Sequence, residues 1–83
     1  TISKIERNLK DNFQIDIKEA IISTPFRLDI ETSENWQIYF NLDSETDLQI
    51  AKMNLLLKDE IPDSVRKTLQ YIDLRFKARA YYK

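Results

Sequence analysis

Three groups of charged residues have spacings that chemistry can use. Asp29 and Glu31 stand two apart in "RLDIET", so on a strand they share a face. Paired carboxylates of that kind carry glycoside hydrolysis. Two exposed acids on one strand face are also a common solvated surface, and that reading accounts for this pair. Asp43, Glu45 and Asp47 alternate like the start of a calcium loop. Such a loop also needs a central Gly and a bidentate Glu at its twelfth position, and both are missing. Helix capping explains these acids better. Asp73 and Arg75 likewise share a strand face. They read as a surface ion pair, worth under ~1 kcal/mol.

The absences are informative. The 83 residues include no His, no Gly and no Cys. Without His the commonest general base and metal ligand is missing. Without Gly there is no phosphate-cradling loop or dinucleotide fingerprint, because both need close backbone approach. Without Cys there is no disulfide or thiolate metal site. No catalytic, cofactor-binding or metal-ligating residue is assigned, and the expectation is a protein that is not an enzyme. Charges nearly balance, with 13 basic and 14 acidic residues and a net charge of −1. That differs from the basic excess of nucleic-acid binders.

The aromatic and basic residues gather at the end of the chain. "YIDLRFKARAYYK" holds Tyr71, Phe76, Tyr81 and Tyr82, and from Arg75 to Lys83 there are four basic residues and no acid. A cationic, aromatic strand of this kind suits an exposed sheet edge. Trp36 falls on the apolar parity of its strand and reads as core. Tyr39 falls on the other parity and is the better surface candidate.

The elements that position these residues follow from periodicity. An apolar fraction of 42% in 83 residues makes one globular domain. Ile2, Ile5, Leu9 and Phe13 mark one face of a first helix. "QIDIKEAIIST" alternates, then slips phase at Lys18–Glu19, where a bulge would absorb the slip. Pro25 ends that strand. Phe26, Leu28 and Ile30 alternate with polar residues, as do Trp36, Ile38 and Phe40 beyond a polar turn, giving a hairpin. A helix of roughly four turns follows, capped by Asp43 or Ser44. Leu48, Ala51 and Leu55 form its apolar stripe, flanked by Ile50, Met53, Leu56 and Leu57, and Pro62 stops it. "DSVRKTL" allows one short helical turn. Ile72, Leu74 and Phe76 then alternate in a strand that turns at Lys77–Ala78 into an antiparallel last strand. The order α-β-β-β-α-β-β predicts an α+β fold, an antiparallel β-sheet with two helices packed on one face.

Several stretches together resemble the C-terminal β domain of the FtsQ/DivIB family of bacterial division proteins. Trp36, Ile38, Tyr39 and Phe40 match its "W-x-I-Y-F" strand, and Leu55 and Leu57 its leucine-bearing helix. Tyr71 to Phe76, Arg79 and Tyr81 to Lys83 match its ending, "YIDLRF-x-x-R-x-Y-Y-K". The likeness runs from about Ile15 onward. Asn35 departs from the Gly common there, and Asn tolerates positive φ second best. The resemblance implies a divisome protein of the cell membrane: a single-pass protein with this domain on the extracytoplasmic side. The present chain, which opens on Thr1 rather than Met, reads as a fragment of it, without the transmembrane segment. It further implies an FtsB/DivIC-like partner, itself paired with an FtsL-like protein, that adds a strand to the last strand. By position, the partner-binding residues are Phe76, Arg79, Ala80, Tyr81, Tyr82 and Lys83.

Two other classes stay open. A single-stranded nucleic-acid module needs Tyr39, Tyr71, Tyr81 and the basic tail on one face. A self-associating domain would pair as a homodimer through the same C-terminal edge strand.

Overall fold

A computed structural model describes all residues from Thr1 to Lys83. Helix α1 (Ile2–Phe13) precedes three strands, β1 (Ile17–Thr24), β2 (Arg27–Thr32) and β3 (Gln37–Asn41). Helix α2 (Thr46–Leu55) runs on into a wider π-helical segment, Leu56–Glu60. A single turn, α3 (Asp63–Arg66), leads to β4 (Tyr71–Asp73) and β5 (Tyr81–Tyr82). The fold is α+β with the expected element order, and the strands lie in chain order across one sheet, β1-β2-β3-β4-β5.

α1 buries Ile5, Leu9 and Phe13, residues four apart on one face, while Ile2 stays exposed. It stops at Gln14, which takes the left-handed conformation at φ 56°. In a chain without Gly, such positions must fall on other residues. The second is Asn35 at φ 70°, in the turn between β2 and β3. Thr32 closes that turn: its hydroxyl donates to the Trp36 carbonyl at 2.9 Å and accepts from the Glu34 and Trp36 N–H groups.

The strand parities hold. Leu28 opposes Phe40 and Ile30 opposes Ile38, all buried, and Trp36 is buried completely. The predicted slip at Lys18–Glu19 is a real bulge, between Ile17 and Glu19, and a second irregularity lies between Ile22 and Thr24. Phe26, expected inward, sits in the β1–β2 turn and is exposed.

The sheet is mixed rather than wholly antiparallel. β4 runs parallel to β3, pairing Ile38 with Ile72, and the other three pairings are antiparallel. The reason is connectivity. A helix between two neighbouring strands carries the chain back to the end where the first began, which makes the second parallel. Periodicity is blind to strand direction.

α2 also differs from expectation. Its N-cap is Glu45, not Asp43 or Ser44. It turns Gln49, Ile50 and Met53 inward, followed by Leu56 and Leu57, and leaves Leu48, Ala51 and Leu55 exposed. Gln49 sets that rotation. Its side-chain amide accepts from the Asn41 N–H and donates to the Asn41 carbonyl, both at 2.8 Å, completing the end of β3. The helices are tied by Lys4 to Asp47 at 2.9 Å and by the amides of Asn8 and Asn54 at 2.8 Å. Their inward residues and those of β2, β3 and β4, together with Ile15, Trp36, Ile61, Leu69 and Leu74 from the connecting segments, form one cluster of 17 buried apolar side chains.

Candidate partner-binding edge and the polar face beside it

β5 ends the sheet, so one of its sides has no neighbouring strand. Lys83 exchanges both backbone hydrogen bonds with Tyr71, at 3.1 and 3.2 Å. An antiparallel ladder alternates, so Tyr82 turns its N–H and C=O away from β4. Tyr81 and Tyr82 are 46% and 42% exposed. Phe76, 50% exposed, meets the Tyr81 ring edge-on at 5.2 Å. Ala80 packs half-buried against the core. Arg79 and Lys83 are exposed and in no salt bridge. The six residues expected at this edge therefore fall in one region.

The strands here are shorter than predicted. The expected turn at Lys77–Ala78 lies within a bend at Phe76–Ala78, but β4 already ends at Asp73 and β5 begins only at Tyr81. Two contacts divert the chain. Lys52 donates through its Nζ to the carbonyls of Phe76 at 2.6 Å and Leu74 at 3.4 Å. Arg75 folds back on Asp73. Between α2 and this segment, Leu48, Leu55, Leu74 and Phe76 line an open groove of about 580 Å³. The exposed stripe of α2 thus borders the edge region.

The Asp73–Arg75 pair is more than a solvated surface pair. Asp73 is only 6% exposed, and both its oxygens accept from Arg75, at 2.9 and 2.7 Å. The Arg75 backbone N–H adds a third bond at 3.1 Å. Burial opposes ionisation of Asp73, but these hydrogen bonds outweigh it and hold the carboxyl below its ordinary value. Arg75 is pushed up by the same contact.

The face of the sheet away from the helices carries Tyr39 at its centre. Tyr71 stacks on it at 5.6 Å, and the guanidinium groups of Arg27 and Arg75 lie 4.7 and 5.4 Å from its ring centre. Asp29 accepts from Arg27 at 2.7 Å, so the Asp29–Glu31 pair is not free carboxylate against carboxylate. The register puts Tyr39, Asp73 and Tyr81 in one row, so Tyr39, Tyr71 and Tyr81 share this face. Acids are interleaved with them, and the Tyr39 ring is already engaged by three neighbours.

A further pair has no sequence signal, because its members are 32 residues apart. Arg66 of α3 forks onto Glu34 at 2.7 and 2.6 Å and also donates to the Phe13 carbonyl at 3.2 Å. Trp36 donates its indole N–H to Glu34 at 3.1 Å. The Arg66 hydrogen bond chiefly lowers the Glu34 carboxyl, against the opposing effect of burial. This clamp joins the end of α1, the β2–β3 turn and α3. Its donors and acceptors are matched to one another.

Of the calcium-loop acids, Asp47 is taken by Lys4, and no group of three or more His, Cys, Asp or Glu side chains is placed to hold a metal ion. No helix is long and apolar enough to cross a membrane. No protein family, curated protein or solved structure matches this chain.

Proposed function

We propose that this chain is a non-catalytic protein–protein interaction domain that receives an extended partner segment on β5. The carrying observation is the unpaired outer side of β5, where two exposed tyrosines and two unpaired cations meet. Backbone hydrogen bonds to an open edge supply affinity, and alternate side chains supply specificity. Tyr81 and Tyr82 offer the aromatic area typical of binding hot spots. Arg79 and Lys83 favour an acidic partner and speed encounter.

The identity of that partner rests on the sequence resemblance alone. It is an FtsB/DivIC-like divisome protein, paired with an FtsL-like one. The parent would be a single-pass cell-membrane protein that holds this domain outside the cytoplasm. The test is an NMR titration of the chain with the extracytoplasmic segment of the FtsB-like protein from the same genome. Amides from Phe76 to Lys83 are expected to shift while those of β1 and β2 stay still. Shifts centred instead on Tyr39 and Tyr71, or no shift at all, overturn the edge reading.

A further inference from the structure

The sheet has a second open edge, and it is built differently. β1 is eight residues long, and every residue from Lys18 to Thr24 is exposed. From Ala20 to Phe26 there is no charged residue. Natural edge strands are usually guarded by lysines, prolines or bulges. On β1 the two irregularities lie at either end of a regular run, Glu19–Ile22, which itself carries no cation. Ala20 and Ile22 oppose Ile30 and Leu28, so they lie on the helix-covered face, yet they remain exposed. Ile21, on the other face, is 48% exposed and Ile22 59%.

We infer that β1 is a self-association edge, on which a second copy of this chain pairs its own β1 antiparallel about a two-fold axis at Ile21. The two faces of the strand fix this register. A two-fold perpendicular to the sheet keeps the helices of both copies on one side. Residues directly opposite then share a face, so the axis must pass through a residue and not between two. Centred on Ile21, the pairing sets Ile21 against Ile21 and Ala20 against Ile22, and it sets Glu19 against Ser23. Apolar meets apolar and no like charges oppose. Centred on Ala20, it would set Glu19 against Ile21. Centred on Ile22, it would set Ile21 against Ser23.

The same operation matches the other edge less well. Pairing β5 with itself about Tyr81 would set Arg79 of one copy against Lys83 of the other, and about Tyr82 it would set Lys83 against Tyr81, so neither register matches apolar with apolar along the strand as β1 does. β1 is therefore the self-complementary edge and β5 the one suited to a different, acidic chain. The inference does not depend on the proposed use of β5, and both edges can be occupied at once.

The chain has no cysteine, so a single introduced thiol reports the register directly. Directly opposed residues of an antiparallel pair have Cα atoms about 4.5–5.5 Å apart, within disulfide reach. Under mild oxidation, Ile21→Cys is expected to cross-link at least several-fold faster than Glu19→Cys or Tyr82→Cys. In sedimentation equilibrium the mass should rise with concentration from 9.9 kDa toward twice that value. The double variant Ile21→Lys with Ile22→Lys changes only exposed side chains and should stay at the lower mass throughout. A wild-type mass constant up to millimolar concentration overturns the inference. So does a double variant that associates like the wild type, or cross-linking fastest at Tyr82→Cys.

Discussion

The two edges of one sheet solve the same problem in opposite ways. β1 is long, uncharged through its middle and interrupted by a bulge toward each end. β5 is two residues long and flanked by Arg79 and Lys83. Their supports differ as well. β1 hangs on β2 through six paired positions, closed by a two-residue turn. β5 hangs on β4 through two, and the seven residues linking them are held by Lys52 and by the Asp73–Arg75 pair. A long edge can rely on its ladder. A short one depends on side chains that fix the chain leading to it.

Removing that support should have the largest effect. Asp73→Ala leaves Arg75 without its carboxylate and opens a buried site. We expect a stability loss of about 2 kcal/mol, below the full cost of breaking a buried pair because Arg75 is partly solvated. Hydrogen exchange would locate the damage: protection should fall first at the Tyr81 and Lys83 amides, which face β4, and persist in β1 and β2. Uniform loss would mean that the pair supports the whole core and not the edge.

Next comes the surface proposed to receive a partner. Tyr81→Ser with Tyr82→Ser should weaken partner binding at least tenfold, about 1.4 kcal/mol, measured by calorimetry. Ile21→Lys with Ile22→Lys should leave that affinity unchanged and alter stability by no more than about 0.5 kcal/mol. Equal effects from both pairs of substitutions would erase the distinction between the edges.

Acid should loosen β5 before β1. Asp73 and Glu34 both titrate below the ordinary carboxylate value when folded. Their pairs therefore stabilise the fold fully above the unfolded carboxylate range, near pH 4, and that contribution disappears as pH falls through the lowered folded values. The linker before β5 should loosen on this limb, seen as amide broadening from Leu74 to Lys83. Asp73→Asn should remove its part of the acid dependence. The smallest effect is that of salt. Raising ionic strength should weaken binding at β5 a few-fold, since its cations are exposed, and leave β1 self-association nearly unchanged.

Much of this arrangement could be read from the residues. Alternation in β2 and β3 placed Leu28, Ile30, Trp36, Ile38 and Phe40 inside, and the phase slip placed the bulge. What escaped depends on partners distant in sequence. α2 carries apolar residues around most of its circumference, so its stripe could be drawn through Leu48 or through Ile50. The choice was made by Gln49, a polar residue whose bonds to Asn41 are invisible until the strand is in place. Asp73 reads as a solvent-facing acid because its parity is outward, and only the fold of Arg75 over it makes it buried. The cationic ending was legible as an edge. The apolar edge at β1 was not, because Ile21 and Ile22 look like core until the sheet is seen to stop there.

The parallel pairing of β3 with β4 has a consequence in time. Strands β1 to β3 form a meander joined by short turns, whose contacts close quickly. β4 can join only after α2 and α3 have brought Tyr71 back beside Gln37, across 34 residues of chain, and β5 only after β4. The expected folding order therefore builds the tyrosine-bearing edge last. Pulse-labelled exchange should show the amides of β2 and β3 protected first, and those of Tyr81 and Lys83 last. A partner that recognises β5 would then engage only molecules that had finished folding, and a half-made domain would present it with nothing to hold.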